Sequence, residues 1–360
     1  MSAERSIESG ALTEAITAIV AAGGSSAREA GQVARSLVGA NLRGHDSHGI
    51  GMIPRYVESL LEGGLLVDRQ PTIRLDSGAL LALDGERGYG QTIGQAAMAM
   101  GIERARQHGA CIMTLAHSHH LGRIGQWAEQ ATAEGLVSMH FVNVMTRPSV
   151  APFGGSDGRF GTNPCCIGIP LADQPPMILD FATSAVAQGK MRVAHNKGEK
   201  VPAGRLIDDH GQPTDDPRYV VIPPWGALLP FGEHKGSGLA IACELLGGAL
   251  TGGGTWHQPH DGSRRVYNGM LTILIDPARA GGADSFVAES AAFIESLRQS
   301  PPAPGIDKVR IAGEPERETL QRRLANGIPV DATTWEEILA AGEKLGLARS
   351  HTARLAGVTD

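Results

Sequence analysis

The sequence has few cysteines, and their spacing excludes the usual cysteine-based sites. The four cysteines stand at positions 111, 165, 166 and 243. None of them forms a Cys-x-x-Cys pair, so neither a disulfide framework nor a structural zinc site is indicated.

Long apolar runs are absent as well. No stretch of about 18 apolar residues occurs, which argues against a conventional transmembrane helix. Residues 1–24 carry Glu4, Arg5, Glu8 and Glu14 among their apolar residues, unlike the unbroken apolar segment of a signal peptide. We therefore expect a cytoplasmic protein without membrane contact.

Positive charge is in deficit. The chain has 32 Lys and Arg against 38 Asp and Glu, a formal net charge of -6 at pH 7. This balance argues against nucleic acid as a partner. An anionic small molecule would have to be bound by individual Arg or Lys residues, because the overall field weakly repels it.

The apolar residues that are present predict an α/β fold with a mixed sheet. The 360 residues suffice for two or three domains. We expect a helical N-terminal part (1–75), a sheet-containing part (76–284) and a C-terminal helical part (285–360) that packs back on the first. Apolar periodicity predicts helices at 12–42 (two, broken by glycines), 53–61, 91–107, 126–134, 236–250, 285–299 and 335–345, and strands at 80–84, 110–116, 136–144 and 270–275. Between 148 and 230, Gly, Pro and Asp predict loops around short apolar runs at 166–169, 177–179 and 219–222.

A glycine-rich turn at residues 88–94 follows a predicted strand and opens a predicted helix. Such a turn could bind a pyrophosphate, as in dinucleotide-binding domains. No acidic residue ends the following strand, however, so the ribose would lack its usual acceptor. We interpret the glycines as a tight strand-to-helix turn.

The segment from His45 to Gly49 combines two imidazoles, a carboxylate and a hydroxyl, with Arg55 and Tyr56 downstream. Oxidising an alcohol requires a group that accepts its proton, and the imidazole of His48 titrates in the right range. The guanidinium of Arg55 could bind a carboxylate through two parallel hydrogen bonds. The alternative is a capping Asp46 beside surface histidines.

Three histidines, His117, His119 and His120, stand just before Gly122 and Gly125 at a predicted helix start. They could ligate a metal, but neighbouring side chains diverge and no carboxylate follows within eight positions. We favour a catalytic or cofactor-contacting histidine and predict no metal site.

Three other segments carry candidate residues. Asp180 interrupts an apolar run, where it could support a catalytic imidazole or simply cap Thr183 and its neighbour. The glycine-rich turn with His234 and Lys235 would suit a phosphate or ribose, although Lys235 could equally be a solvated charge. The tight turn with Thr162 and Asn163 is a further candidate for a ligand contact.

Taken in order, these segments resemble the malate/L-lactate dehydrogenase family, whose fold is not of the Rossmann type. The resemblance covers nearly the whole chain. It is carried by four motifs: Gly44-His45-Asp46-Ser47-His48-Gly49-Ile50-Gly51-Met52-Ile53-Pro54, His119-His120-Leu121-Gly122-Arg123-Ile124-Gly125, Arg159-Phe160-Gly161-Thr162-Asn163-Pro164 and Glu233-His234-Lys235-Gly236.

The resemblance implies a homodimer with a nicotinamide cofactor in a cleft and a small 2-hydroxy or 2-oxo acid close to the dimer interface. NAD is the expected cofactor, and NADP stays open. The proton acceptor would be His48 or His120, of which we prefer His48; Ser47, Arg55 and Tyr56 would bind substrate. The residues implied for the cofactor are His48, Gly122, Arg123, Ile124, Thr162, Asn163, Ile178, Leu179, Asp180, Phe181, Ala182, His234, Lys235, Asn268, Gly313 and Glu314.

One position departs from the family pattern. Many relatives carry Arg four residues after the Ser-His-Gly histidine, where this chain has Met52. Arg55 is then the nearest cation, and we expect a fairly apolar, permissive pocket in which malate is not the first choice of substrate. Reduction of a cyclic imine or oxidation of a ureido acid, a metal-dependent hydrolase and a silent ligand-binding protein remain alternatives.

Overall fold

The computed structural model describes residues 5–257, 263 and 265–358. The helices are α1 (Ser9–Ala22), α2 (Ala27–Leu42), α3 (Ile53–Leu61), α4 (Gly90–His108), α5 (Gly125–Ala133), α6 (Gln188–Lys197), α7 (His234–Cys243), α8 (Ala283–Arg298), α9 (Glu314–Asn326), α10 (Ala332–Lys344) and α11 (Arg349–Leu355). The strands are β1 (Arg5–Ile7), β2 (Thr72–Ser77), β3 (Leu80–Asp84), β4 (Ala110–His119), β5 (Val137–Met145), β6 (Cys165–Leu171), β7 (Gln174–Phe181), β8 (Leu206–Ile207), β9 (Pro213–Thr214), β10 (Ala227–Leu228), β11 (Tyr267–Ile275) and β12 (Ile328–Val330).

A seven-stranded sheet forms the centre, in the order β2-β3-β4-β11-β5-β6-β7. Strands β3 and β4 are parallel and joined by α4, as the strand-helix-strand pattern predicts, and the other neighbours are antiparallel. The predicted mixed-sheet α/β fold is therefore confirmed. Because β11 lies between β4 and β5, Tyr267 pairs with both His119 and Met145, and the ends of these three strands meet.

Two apolar cores flank the functional region. One is shared by the N-terminal helices α1–α3 and the C-terminal helices α10 and α11, with Trp335 and Tyr56 among its largest buried side chains. The other lies between the sheet and helices α4 and α5, around Trp127 and Ile93. The domain limits expected from the sequence stay a prediction.

Several elements differ from the sequence-based predictions. The helix predicted at 236–250 is α7 followed by a π-helical turn, Glu244–Ala249, whose Gly247 packs against strand backbone that leaves no room for a Cβ atom. The run at 219–222 overlaps a 3₁₀ turn, Pro217–Val220, and is no strand. Helix α9 was missed because it is polar and has no buried residue that would mark a period. Within the described residues, no helix is both long and apolar enough to cross a bilayer.

Candidate active site

The first histidine motif follows α2, which ends where Gly44 adopts a left-handed conformation (φ +82°). The chain then forms a 3₁₀ turn, Asp46–His48, that is held from two sides. Asn41 donates to the Asp46 carboxylate at 2.6 Å, and its Oδ1 accepts from the backbone N–H of Ile50 at 2.8 Å. Arg323 of α9 pairs with the same carboxylate. Asp46 therefore anchors the turn, and His48 at its end is fixed in place.

His48 and His120 meet at the centre of the site. Their rings are stacked, with centroids 5.6 Å apart and planes inclined by 22°. The Nδ1 atom of His48 is 2.9 Å from the hydroxyl of Ser47. The Nδ1 atom of His120 is 2.7 Å from the hydroxyl of Tyr56, which also accepts from the amide of Gln91 at 2.8 Å. Two of the predicted segments thus form one imidazole pair.

Both imidazoles are neutral at physiological pH. Burial lowers the pKa of His48 to about 4, helped by the nearby charges of His45 and Arg123. Burial also holds the pKa of His120 well below its usual value, and His48, His119 and Arg55 act in the same direction. A neutral imidazole can accept a proton or donate a hydrogen bond, as an alcohol or a carbonyl at this position would require.

Two guanidinium groups lie close to each other, and the charge of one of them, Arg55, also acts on His120. Arg55 donates to the hydroxyl of Thr146 at 2.9 Å. The next residue, Arg147, stacks on Trp225 with its Cζ atom 3.7 Å from the ring centroid and donates to the carbonyl of Val220. Burial and the charge of Arg55 lower the pKa of Arg147 to about 10. Among the described residues Arg147 has no carboxylate partner, so it could bind an anion. The sequence-based prediction named only Arg55 for this role and missed Arg147.

Asp180 lies deeper, at the end of β7. Its carboxylate accepts from the backbone N–H of Gly125 at 2.7 Å, and no hydrogen bond joins it to either His48 or His120. Burial raises the pKa of Asp180, and the charges of His45 and Arg123 oppose that shift. The predicted support of a catalytic imidazole by Asp180 is therefore corrected to support of the turn that follows His120.

Several of the segments implied for a cofactor are in contact with one another. The backbone of Ile178 donates to the carbonyl of Ala312 at 3.1 Å, which brings Gly313 and Glu314 to β7. The ring of Phe181 packs edge-on against Phe231, just ahead of His234 and Lys235, which are exposed at the start of α7. Together with the bond from Asp180 to Gly125, these contacts connect most of the predicted set. Of its members, Gly122, Arg123, Ile124, Ile178 and Gly313 are buried, Leu179, Asp180, Phe181, Ala182 and Glu314 are half-buried, and His234 and Lys235 are exposed.

Two neighbouring residues predicted as ligand contacts form hydrogen bonds inside the protein. Asn163 is fully buried, and its amide bonds to Val144, Ala240 and Glu244. The adjacent Thr162 accepts from Thr183 through its carbonyl. Asn163 therefore braces strands, and its side chain is not available to a cofactor.

Asn268 and Tyr56 likewise serve as supports. The Oδ1 atom of Asn268 accepts from the backbone N–H of Leu121 at 2.8 Å, and its Nδ2 donates to Asn143. This fixes the chain immediately after His120. Tyr56 is 1% exposed and bonded to His120, so it positions that imidazole and is not free to bind substrate, which corrects the sequence-based prediction.

The three histidines of the second motif turn to different partners. His117 bonds to Asp84 at 2.8 Å, His119 to Ser59 at 3.0 Å, and His120 to Tyr56. Within the described part of the chain, no three His, Cys, Asp or Glu side chains are arranged to hold a metal ion. A groove between α4 and α5 shares no residue with the histidine site.

Comparison with known proteins extends these observations. A family profile described as malate/L-lactate dehydrogenase matches residues 7–339. Hydroxycarboxylate dehydrogenase B of Escherichia coli O157:H7 is 49% identical over 327 residues, covering 90% of each chain. Delta(1)-pyrroline-2-carboxylate/Delta(1)-piperideine-2-carboxylate reductase of Pseudomonas syringae pv. tomato is 34% identical and covers 88% of this chain and 90% of its own. A solved E. coli structure of the malate/lactate dehydrogenase type has a TM-score of 0.94 at 44% identity, covering 98% and 99% of the two chains.

Proposed function

The chain belongs to the malate/L-lactate dehydrogenase family, and on this basis we propose that it interconverts small 2-hydroxycarboxylic acids and 2-oxo acids with a nicotinamide cofactor. One observation carries the proposal: a stacked pair of neutral imidazoles lies within reach of the charge of Arg55, which also acts on Arg147. Neutral imidazoles suit the reacting oxygen, and guanidinium groups suit the neighbouring carboxylate.

In the direction of oxidation, His48 accepts the hydroxyl proton. Arg55 and Arg147 bind the substrate carboxylate, which aligns the 2-position with the imidazoles. A bound nicotinamide would supply the hydride acceptor for C2, and the proton that leaves the hydroxyl would remain on His48. Reduction of the 2-oxo acid is the reverse: His48 returns the proton to the carbonyl oxygen.

The residues present fit a nicotinamide dinucleotide. The Oε1 atom of Gln91 is a buried acceptor without a partner among the described residues, suited to an amide N–H. Gly122 has a left-handed conformation (φ +73°), which favours glycine, and the Nε2 atom of Gln91 lies 3.4 Å from the place of an added Cβ atom. Gly122 to Ile124, the β7 residues 178–182, and His234 with Lys235 would hold the rest. We propose NAD before NADP, a homodimer and a cytoplasmic location, all from the family resemblance.

The proposal is tested by following reduced-nicotinamide absorbance while the protein is mixed with NADH or NADPH and a panel of 2-oxo acids. His48→Gln should lower kcat by roughly 100-fold or more, because it removes the acid/base. Cofactor affinity, measured by fluorescence titration, should stay within a few fold. His210→Gln is the matched control, since this side chain is 82% exposed. An unchanged kcat in His48→Gln would exclude His48 as the acid/base.

A second candidate reaction is the reduction of a cyclic imine carrying a 2-carboxylate, favoured by the similarity to the pyrroline and piperideine reductase. The same panel should include such an imine and a ureido acid. A preference for either over every 2-oxo acid would replace the first proposal. A metal-dependent hydrolase would instead require stoichiometric zinc or manganese in the purified protein, which elemental analysis detects. Cofactor binding without any turnover would favour a silent ligand-binding protein.

A further inference from the structure

The two stacked imidazoles have partners of different kinds. His48 is bonded to the hydroxyl of Ser47, and a hydroxyl can either donate or accept. His120 is bonded to the hydroxyl of Tyr56, which is itself bonded to Gln91. This difference determines whether the proton of each neutral imidazole can move between Nδ1 and Nε2.

The hydrogen bonds around His120 have one direction. The Nε2 atom of Gln91 is a donor and gives a hydrogen bond to the Tyr56 oxygen. The single proton of Tyr56 is then directed to Nδ1 of His120, 2.7 Å away. A nitrogen that accepts a hydrogen bond carries no proton of its own. Neutral His120 must therefore carry its proton on Nε2.

Among the residues that the structure describes, no group around His120 would reverse this direction. The titratable or charged groups that act on it are Tyr56, His48, His119 and Arg55, and none of them is a carboxylate. Burial favours the neutral ring and also keeps the Tyr56 phenol protonated, because it raises the pKa of Tyr56. Gln91 is 1% exposed, so water does not compete for its amide.

We propose that Gln91, acting through Tyr56, is a positioning residue that locks His120 as the Nε2–H tautomer. His120 is then a fixed hydrogen-bond donor for the reacting oxygen and not a base. The Ser47 hydroxyl can reverse its bond to His48, so His48 alone can accept and return the proton. This assignment of roles rests on the proposed dehydrogenase function, whereas the tautomer itself does not.

The tautomer can be measured on the full chain without any turnover. Long-range proton–nitrogen NMR spectra of protein with ¹⁵N-labelled histidine distinguish protonated from unprotonated ring nitrogens, and a His120→Gln sample identifies the His120 signals. We expect an unprotonated Nδ1 and a protonated Nε2, constant between pH 6 and pH 9. A protonated Nδ1 in the native protein would overturn the proposal, whatever the enzyme assays show.

Variants test the role of the amide. In Gln91→Glu the introduced carboxylate can only accept, so Tyr56 should turn towards it and His120 should change to the Nδ1–H tautomer as the new carboxyl ionises. The donor to the reacting oxygen is then lost, and kcat should fall by roughly 10²–10³-fold while KM for the cofactor changes little. Gln107→Glu, on the exposed side of the same helix α4, is the matched control and should change neither tautomer nor kcat.

Tyr56→Phe provides a second variant if Gln91→Glu does not fold. It keeps the ring but removes the hydroxyl, so both tautomers of His120 should become visible and kcat should fall. A native tautomer in either folded variant would refute the role of Gln91 and Tyr56. If the native tautomer is Nε2–H but the protein converts no 2-oxo acid or imine, the assignment of the His120 tautomer is retained and the proposed function is rejected.

Discussion

Replacing Gly90 with Ala should disturb the active site although residue 90 has no ionisable group. Gly90 is the first residue of helix α4, directly before Gln91, and it lies against the main chain of His119 and His120. A Cβ atom at this position would collide with the carbonyl group of His120 and lie 2.6 Å from the carbonyl oxygen of His119. Main-chain atoms cannot turn aside as a flexible side chain can, so one of the two segments must move.

The size of the movement follows from the contact distances. Ordinary contacts of a Cβ atom begin at 3.4 Å and real ones essentially never fall below 3.0 Å, so the His119 oxygen must retreat by 0.4 Å (3.0 minus 2.6) at the least and by 0.8 Å (3.4 minus 2.6) to reach an ordinary contact, and the closer His120 carbonyl by more. A shift of this size separates His120 from Tyr56 or Gln91, whose bonds of 2.7 and 2.8 Å have little tolerance. Misplacement of a catalytic group by about 1 Å can cost roughly 100-fold in rate. We expect a loss of that order in kcat.

The assay compares kcat and the free energy of unfolding with those of Gly39→Ala. Gly39 lies within α2, where an added Cβ atom would meet only the Arg43 side chain at 3.7 Å. Alanine should therefore stabilise that helix by about 0.5–1 kcal/mol and leave kcat unchanged. The reasoning is refuted if Gly90→Ala folds and keeps kcat within threefold of the native value.

Three further predictions follow from buried groups. Burial lowers the pKa of His140 to about 3. Below about pH 6.5 the unfolded chain takes up a proton on this imidazole and the folded chain does not, so His140 should lower the free energy of unfolding by about 1.4 kcal/mol for each unit by which the pH falls. Urea unfolding should show this contribution, and the dependence on pH should be less steep in His140→Gln. Asn268→Leu leaves the N–H of Leu121 and the carbonyl of Asn143 unpaired, so it should lower the free energy of unfolding by about 1–3 kcal/mol for each group, with partial recovery in Asn268→Asp. Arg147→Met should raise KM for 2-oxo acids roughly tenfold or more without changing cofactor affinity, because a hydrogen bond to a charged group contributes about 1.5–3 kcal/mol; an unchanged KM would exclude Arg147 from the carboxylate site.

The sequence was sufficient for the elements that have a strong apolar period. Helices α1, α2, α4 and α10, and the parallel pair β3 and β4, follow from such periods because each buries one face or both. Helix α9 and strand β2 bury nothing, so no pattern marks them. Their helical and extended conformations depend on the neighbouring elements, which a sequence pattern does not reveal.

Sequence reasoning about the site reaches neighbours in sequence more easily than neighbours in space. Ser47 and His48 are adjacent, and their hydrogen bond was within reach of sequence reasoning. Arg147 is 92 residues after Arg55, and only the meeting of β5 with the rest of the sheet brings it close. Asp180 was assigned to an imidazole because buried carboxylates need partners, but a backbone N–H satisfies that need equally well.

The glycine-rich turn before α4 shows that glycines arranged like a dinucleotide fingerprint can serve packing within the protein. In the usual domain, the glycines allow backbone to approach a pyrophosphate. Here Gly90 allows α4 to approach the carbonyl groups of His119 and His120, and Gly94 allows it to pack on Trp127, whose Cζ2 atom would lie 2.5 Å from an added Cβ atom. This close approach places the Gln91 amide within hydrogen-bonding distance of the Tyr56 hydroxyl. The same residue type at the same kind of turn thus serves the catalytic imidazole instead of a phosphate, and a glycine motif alone cannot distinguish the two uses.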